Sequence, residues 1–124
     1  MYCNSTYIHF MNTTELLKGT LSTIILKLLA DGEKMYGYEI TQKVKELSND
    51  KILLKEGSLY PALHKLLHDG LVEVETVYIG KRVRKYYRLT QQGHAQKQAQ
   101  FEELQEFMQT IQQLVFPQLT LKLQ

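Results

Sequence analysis

The chain has 124 residues, 44% of them apolar and 23% charged, and carries a net charge of +2 at pH 7. That length fits one domain with one core, and the composition excludes an intrinsically disordered chain. The single cysteine, Cys3, excludes an intrachain disulfide and a cysteine-based zinc cluster. A lone thiol fits a reducing compartment, so a cytoplasmic location is expected. The apolar stretch over 21–30 is broken by Ser22, Thr23 and Lys27 and is too short to span a bilayer. No membrane partner is expected. Residues 1–12 lack a basic start followed by an apolar run, so they read as an N-terminal arm, poorly ordered, rather than a secretory signal.

In chain order, Thr13 or Thr14 can cap a first helix with Glu15 in its opening turn. Leu16, Leu17, Leu21, Ile24, Ile25, Leu28 and Leu29 give it one apolar face, ending at Asp31-Gly32. Leu26 lies on the opposite face, which predicts a central helix held between two partners. Tyr36-Gly37-Tyr38 opens a second helix with Ile40, Val44 and Leu47 facing inward, bounded by Ser48-Asn49-Asp50. A third helix follows, with Ser58 as its cap, Pro61 in its first turn, and Leu59, Leu63, Leu66 and Leu67 along one side. It ends at Asp69-Gly70.

The period then changes to two. Val72-Glu73-Val74-Glu75 alternates as a half-buried strand does, Tyr78 to Arg82 reads as a turn, and Val83 to Leu89 as the return strand. Thr90 caps a long last helix over 91–116, and residues 117–124 form a tail. Phe101, Leu104, Met108, Ile111 and Val115 step along that helix as a heptad seam, flanked by Phe107 and Leu114. The fold expected is therefore mainly α with a small β hairpin. It is a winged helix-turn-helix over 13–90 followed by a long dimerisation helix.

Charge is unevenly spread. Between Lys51 and Arg88 eight basic residues face four acidic ones, while the rest of the chain has seven against nine. Lys81, Arg82, Arg84, Lys85 and Arg88 occur with no acid among them, interleaved with Tyr78, Tyr86 and Tyr87. Five cations without an acid beside them in sequence suit phosphate neutralisation on double-stranded DNA. A solvated edge hairpin that discourages strand pairing reads the same way. On the third helix Tyr60, His64 and Lys65 lie on or near the outward face, and Ser58 stands at the N-terminus, where free N–H groups suit a phosphate. Tyr60 fits core packing equally, and Tyr36 divides between phosphate contact and packing.

Enzymatic readings find no support. His64 and His68 share a helix face, but Lys65 follows His64 where a metallohydrolase motif needs glutamate, and no cysteine completes a site. There is no nucleotide-binding glycine loop and no pair of carboxylates in an apolar setting. Neither metal nor cofactor is expected.

Four blocks of sequence resemble the PadR family of bacterial transcriptional regulators. They are Leu16-Leu17-Lys18-Gly19-Thr20-Leu21, Tyr36-Gly37-Tyr38-Glu39-Ile40, Gly57-Ser58-Leu59-Tyr60-Pro61-Ala62-Leu63 and Arg84-Lys85-Tyr86-Tyr87-Arg88-Leu89-Thr90. The resemblance implies a homodimeric repressor on an inverted-repeat operator, released by a small aromatic or cationic effector. It also implies the short subfamily, whose last helix packs on the partner's first helix; Leu26, Phe101, Leu104, Met108, Ile111 and Val115 would form that interface. The chain has no tryptophan, whereas multidrug-binding members stack drugs between indoles. Phe101, Phe107 and Met108 are the residues left to line a comparable cavity, with plain dimer packing as the favoured reading of the three. A winged-helix module that docks proteins, without sequence-specific DNA binding, is the alternative.

Overall fold

The computed structural model describes residues 17–118. In chain order the elements are α1 (Leu21–Asp31), β1 (Met35–Tyr36), α2 (Gly37–Leu47), α3 (Glu56–His68), β2 (Val72–Ile79), β3 (Arg82–Leu89) and α4 (Gln91–Val115). The arm over 1–12, the caps at Thr13 or Thr14, and most of the tail lie outside the described residues.

The core gathers apolar residues from every layer. Ile25, Leu26 and Leu29 come from α1, Ile40 and Val44 from α2, Leu59, Leu63 and Leu66 from α3, and Val72, Tyr87 and Leu89 from the hairpin. Helix α1 sits at the centre, touching α3, α4 and β3. It is held from several sides, as its all-round apolar pattern requires. The second side, however, is filled by the same chain. Leu26 is 0% exposed, so it has no surface left to give a partner and is a core residue, not a dimer contact.

Two helix starts differ from expectation. Lys18–Thr20 form a turn, with Thr20 N–H and hydroxyl donating to the Leu17 carbonyl at 2.9 and 3.3 Å, so α1 begins at Leu21. Gly19 weakens a continuous helix there. Helix α3 begins at Glu56 with Lys55 as its N-cap, which places Ser58 inside the first turn and Pro61 in the second. Pro61 has no N–H for the Gly57 carbonyl, but both residues are exposed, where water serves that carbonyl. Leu47, expected in the core, is 65% exposed at the end of α2.

The sheet has three strands in the order β1-β3-β2, all antiparallel. The hairpin turn is tighter than expected: Ile79 pairs with Arg82, leaving only Gly80 and Lys81 as the loop. Gly80 has φ +64°, the positive value that the first position of a II′ turn requires. Strand β1 pairs Met35 with Tyr87 and Tyr36 with Tyr86, tying the start of α2 to the hairpin. At the other end of the hairpin, Thr90 accepts from the Gly93 N–H at 3.0 Å and caps α4 as expected.

Candidate nucleic-acid interface

Successive residues of β3 point to opposite faces, so Arg82, Arg84, Tyr86 and Arg88 share one side. At the base of the hairpin this side is neutralised. Arg88 Nε donates to Glu73 at 2.7 Å and its Nη1 to Glu75 at 3.5 Å, while Lys34 reaches Glu75 at 3.1 Å. Glu73 raises the Arg88 pKa further above its ordinary value. Arg88 therefore leaves the group of uncompensated cations. Lys81 and Arg82 at the tip, and Lys85 three residues further along β3 on its opposite side, are exposed and make no ion pair among the described residues.

Arg84 lies between base and tip. Its guanidinium sits 4.1 Å from the centre of the Tyr36 ring, and Nη1 donates to the Tyr86 hydroxyl at 3.4 Å. Tyr36 meets Tyr86 edge-on with centroids 5.5 Å apart and stacks on Tyr38 at 6.4 Å. Tyr36 is thus a packing residue that also carries a cation. Its own N–H donates to Glu39 at 3.0 Å, which satisfies one free donor at the start of α2.

A cleft of about 500 Å³ opens between the hairpin and the start of α2. Tyr36, Tyr38, Tyr60, Arg82, Arg84 and Lys85 line it, and no carboxylate does. Tyr60 packs on the core through its ring, and its hydroxyl would stand 2.6 Å from a Cβ at Gly37. Packing accounts for much of Tyr60, although one edge still faces the cleft. Burial pushes the Tyr87 phenol up, with Tyr60 adding to the shift. Tyr38, which sequence reasoning passed over as a functional residue, is 64% exposed at the rim. Its place beside Tyr36 in the opening turn of α2 was the available signal.

The exposed side of α3 carries Ser58, His64 and Lys65, away from the buried Leu59, Leu63 and Leu66. None of the three lines the cleft; they form a second surface beside it. Lys65 pairs with Asp69 at 3.2 Å, and His68 lies 3.4 Å from the same carboxylate. Hydrogen bonds from Lys65 and then His68 hold Asp69 below the usual carboxylate range. Among the described residues no three His, Cys, Asp or Glu side chains gather as a metal site would need. Nor is any described helix long and apolar enough to cross a membrane.

The seam of α4 divides in two. Phe101 and Leu104 are half-buried, and Lys27 of α1 lies 5.7 Å over the Phe101 ring. Met108, Ile111 and Val115 are exposed by 60%, 39% and 57%, forming an apolar stripe that nothing in the described chain covers. Between α1 and α4 runs a groove of about 840 Å³ lined by Ile24, Leu28, Phe101, Leu104 and Met108, among others. Phe107 lies outside it. At about 100° per residue Phe107 stands roughly 120° round the helix from Phe101, whereas Met108 returns to nearly the same side. The expected cavity thus keeps Phe101 and Met108 and loses Phe107.

Comparison with known proteins agrees with this architecture. A transcriptional regulator of Clostridium thermocellum superposes with TM-score 0.74 and 30% identity over 82% of this chain and 98% of its own. Bacillus subtilis PadR, in complex with operator DNA, superposes with TM-score 0.59 and 31% identity over 66% of this chain and 46% of its own. A transcriptional regulator of Mycobacterium tuberculosis is 41% identical over 71 residues, which span 57% of this chain and 63% of that protein. Residues 25–99, from the core of α1 into α4, match the model of the transcriptional regulator PadR-like family. With the winged-helix fold and the family match in agreement, the chain belongs to the PadR-like transcriptional regulators, a family of regulators and not of enzymes.

Proposed function

We propose that this regulator binds double-stranded DNA as a homodimer and represses transcription from an inverted-repeat operator. The observation that carries the reading is the hairpin tip. Lys81 and Arg82 project there, with Lys85 further along β3, without a counter-charge among the described residues, beside a cleft lined by tyrosines and free of carboxylates. Cations without a protein counter-charge need break no ion pair to meet a phosphate backbone, and they release its counterions. A wing that docked an ordinary protein surface has no such need for them. The operator DNA held by the Bacillus subtilis relative supports the reading.

The stripe at Met108, Ile111 and Val115 supports the homodimer, since a monomer rarely leaves such a surface in water. The groove between α1 and α4 is the candidate effector site. Its lining holds Lys27, Gln105, Gln109 and Gln112 but no carboxylate, which favours a flat apolar effector over a cationic one. A soluble cytoplasmic regulator is the setting this reading implies.

The test is a gel shift of DNA from upstream of its own gene, with stoichiometry by sedimentation. Two chains per duplex, and an affinity that falls steeply with salt, are expected. Absence of any shift at low salt overturns the DNA reading, and one chain per duplex overturns the dimer.

A further inference from the structure

We propose that Thr90 and Gly93 are positioning residues that set the angle between α4 and the winged domain, and through it the operator half-site spacing the dimer accepts. This rests on the dimeric DNA-binding reading above. The junction has no linker: β3 ends at Leu89 and α4 begins at Gln91. Between them Thr90 is held three ways. Its N–H donates to the Leu71 carbonyl at 3.0 Å, its hydroxyl donates to the Gly70 carbonyl at 2.6 Å, and the same hydroxyl oxygen accepts from Gly93 N–H at 3.0 Å.

Gly93 completes the lock by its lack of a side chain. It is the buried residue of α4, and a Cβ there would land on the Leu71 carbonyl oxygen. Gly70 adopts φ +76°, a left-handed conformation that turns its carbonyl region toward the junction at little cost to glycine. The first turn of α4 is therefore pressed against the backbone at the start of β2.

Leverage makes this small contact consequential. Past the junction, α4 packs on α1 again through Phe101, under Lys27, and Leu104, and then runs on mostly exposed to Val115. At 1.5 Å per residue the helix is about 37 Å long, so a tilt of about 10° at the junction carries the far end about 6 Å. That is nearly two base-pair rises of about 3.4 Å. With the dimer stripe on the far half of α4, the junction angle fixes how far apart two winged domains stand. An added Cβ at Gly93 forces a shift on the order of 1 Å to regain van der Waals contact distance.

The experiment uses the full chain in two arms. In the first, nitroxides at Thr76→Cys and Gln113→Cys in a Cys3→Ser background report the wing-to-α4 distance within one chain diluted into unlabelled protein. One narrow distance is expected for the parent, a shifted or broadened one for Gly93→Ala and for the isosteric Thr90→Val, and the parent distance for Thr90→Ser. In the second, unlabelled variants are titrated with operators whose half-sites are moved apart or together by one or two base pairs. The parent should prefer one spacing by tenfold or more, Thr90→Ser should keep that preference, and Gly93→Ala and Thr90→Val should flatten or move it. Should Gly93→Ala fail to fold, Thr90→Val against Thr90→Ser decides. Unchanged distances and spacing preference in both variants overturn the proposal, as does a Thr90→Ser variant that behaves like Thr90→Val. A parent that binds no DNA overturns the DNA reading alone, and the distance arm then judges the junction.

Discussion

At the scale of single residues, charge matters by its partner and not by its count. Arg82 and Arg88 stand on the same side of β3, yet Arg88 is engaged by Glu73 and Glu75 while Arg82 is open. Arg82→Ala should weaken operator and random DNA alike and reduce the salt slope by about one unit. Arg88→Ala should leave that slope unchanged, as titration of each variant across salt will read out. Lys65 offers a finer case, since Asp69 shares its charge. Asp69→Asn should strengthen DNA binding by about two- to fivefold, the scale of one exposed ion pair. Because Asp69 has a depressed pKa when folded, its pairing is present above the ordinary carboxylate range. The pairing is lost as pH falls through the lowered value. Anisotropy near neutral pH should therefore show the full effect of the substitution, and no gain there would contradict it. The cationic run was plain in the sequence. Its division into paired and open members was not, because Glu73 meets Arg88 only through the strand register that a two-residue turn at Gly80-Lys81 sets.

At the scale of elements, the helices and the hairpin were legible from periodicity, while their ends and smallest piece were not. Strand β1 has two residues, too few to show any period, and it exists because β3 offers an edge to Met35 and Tyr36. Helix α3 starts at Glu56 although Ser58 is the better capping residue, so tertiary packing overrides local preference there. Where α2 meets α3, Gly37 makes room for the Tyr60 hydroxyl. Gly37→Ala should cost about 1 kcal/mol in the parent, despite alanine's better helix propensity. In a Tyr60→Phe background, without the hydroxyl, the same change should be neutral or stabilising. A double-mutant cycle by denaturant unfolding measures the difference, and additive costs would refute the contact. For Leu26, whose back-face position suggested a partner, burial inside the chain sets a different expectation. Leu26→Ala should destabilise by about 2–5 kcal/mol, as a core cavity does, with the same loss at every protein concentration.

At the scale of the whole molecule, a winged domain and a mostly exposed helix divide the labour. The domain presents two surfaces, the open cations of the hairpin and the outward side of α3, while α4 leaves Met108, Ile111 and Val115 uncovered, the stripe we propose for a second copy. Replacing Ile111 and Val115 with glutamate should give folded monomers in sedimentation, since those side chains contribute nothing to the core of their own chain. We propose a division of roles in which the tip supplies affinity through phosphate contacts and α3 supplies specificity through base edges. It is tested most directly by measuring Arg82→Ala and His64→Ala on operator and on random duplex across a salt series. The account predicts that Arg82→Ala weakens both duplexes equally, whereas His64→Ala costs the operator alone about 1–3 kcal/mol. A His64→Ala protein that weakens both duplexes equally, with an Arg82→Ala protein that loses the operator alone, would contradict it.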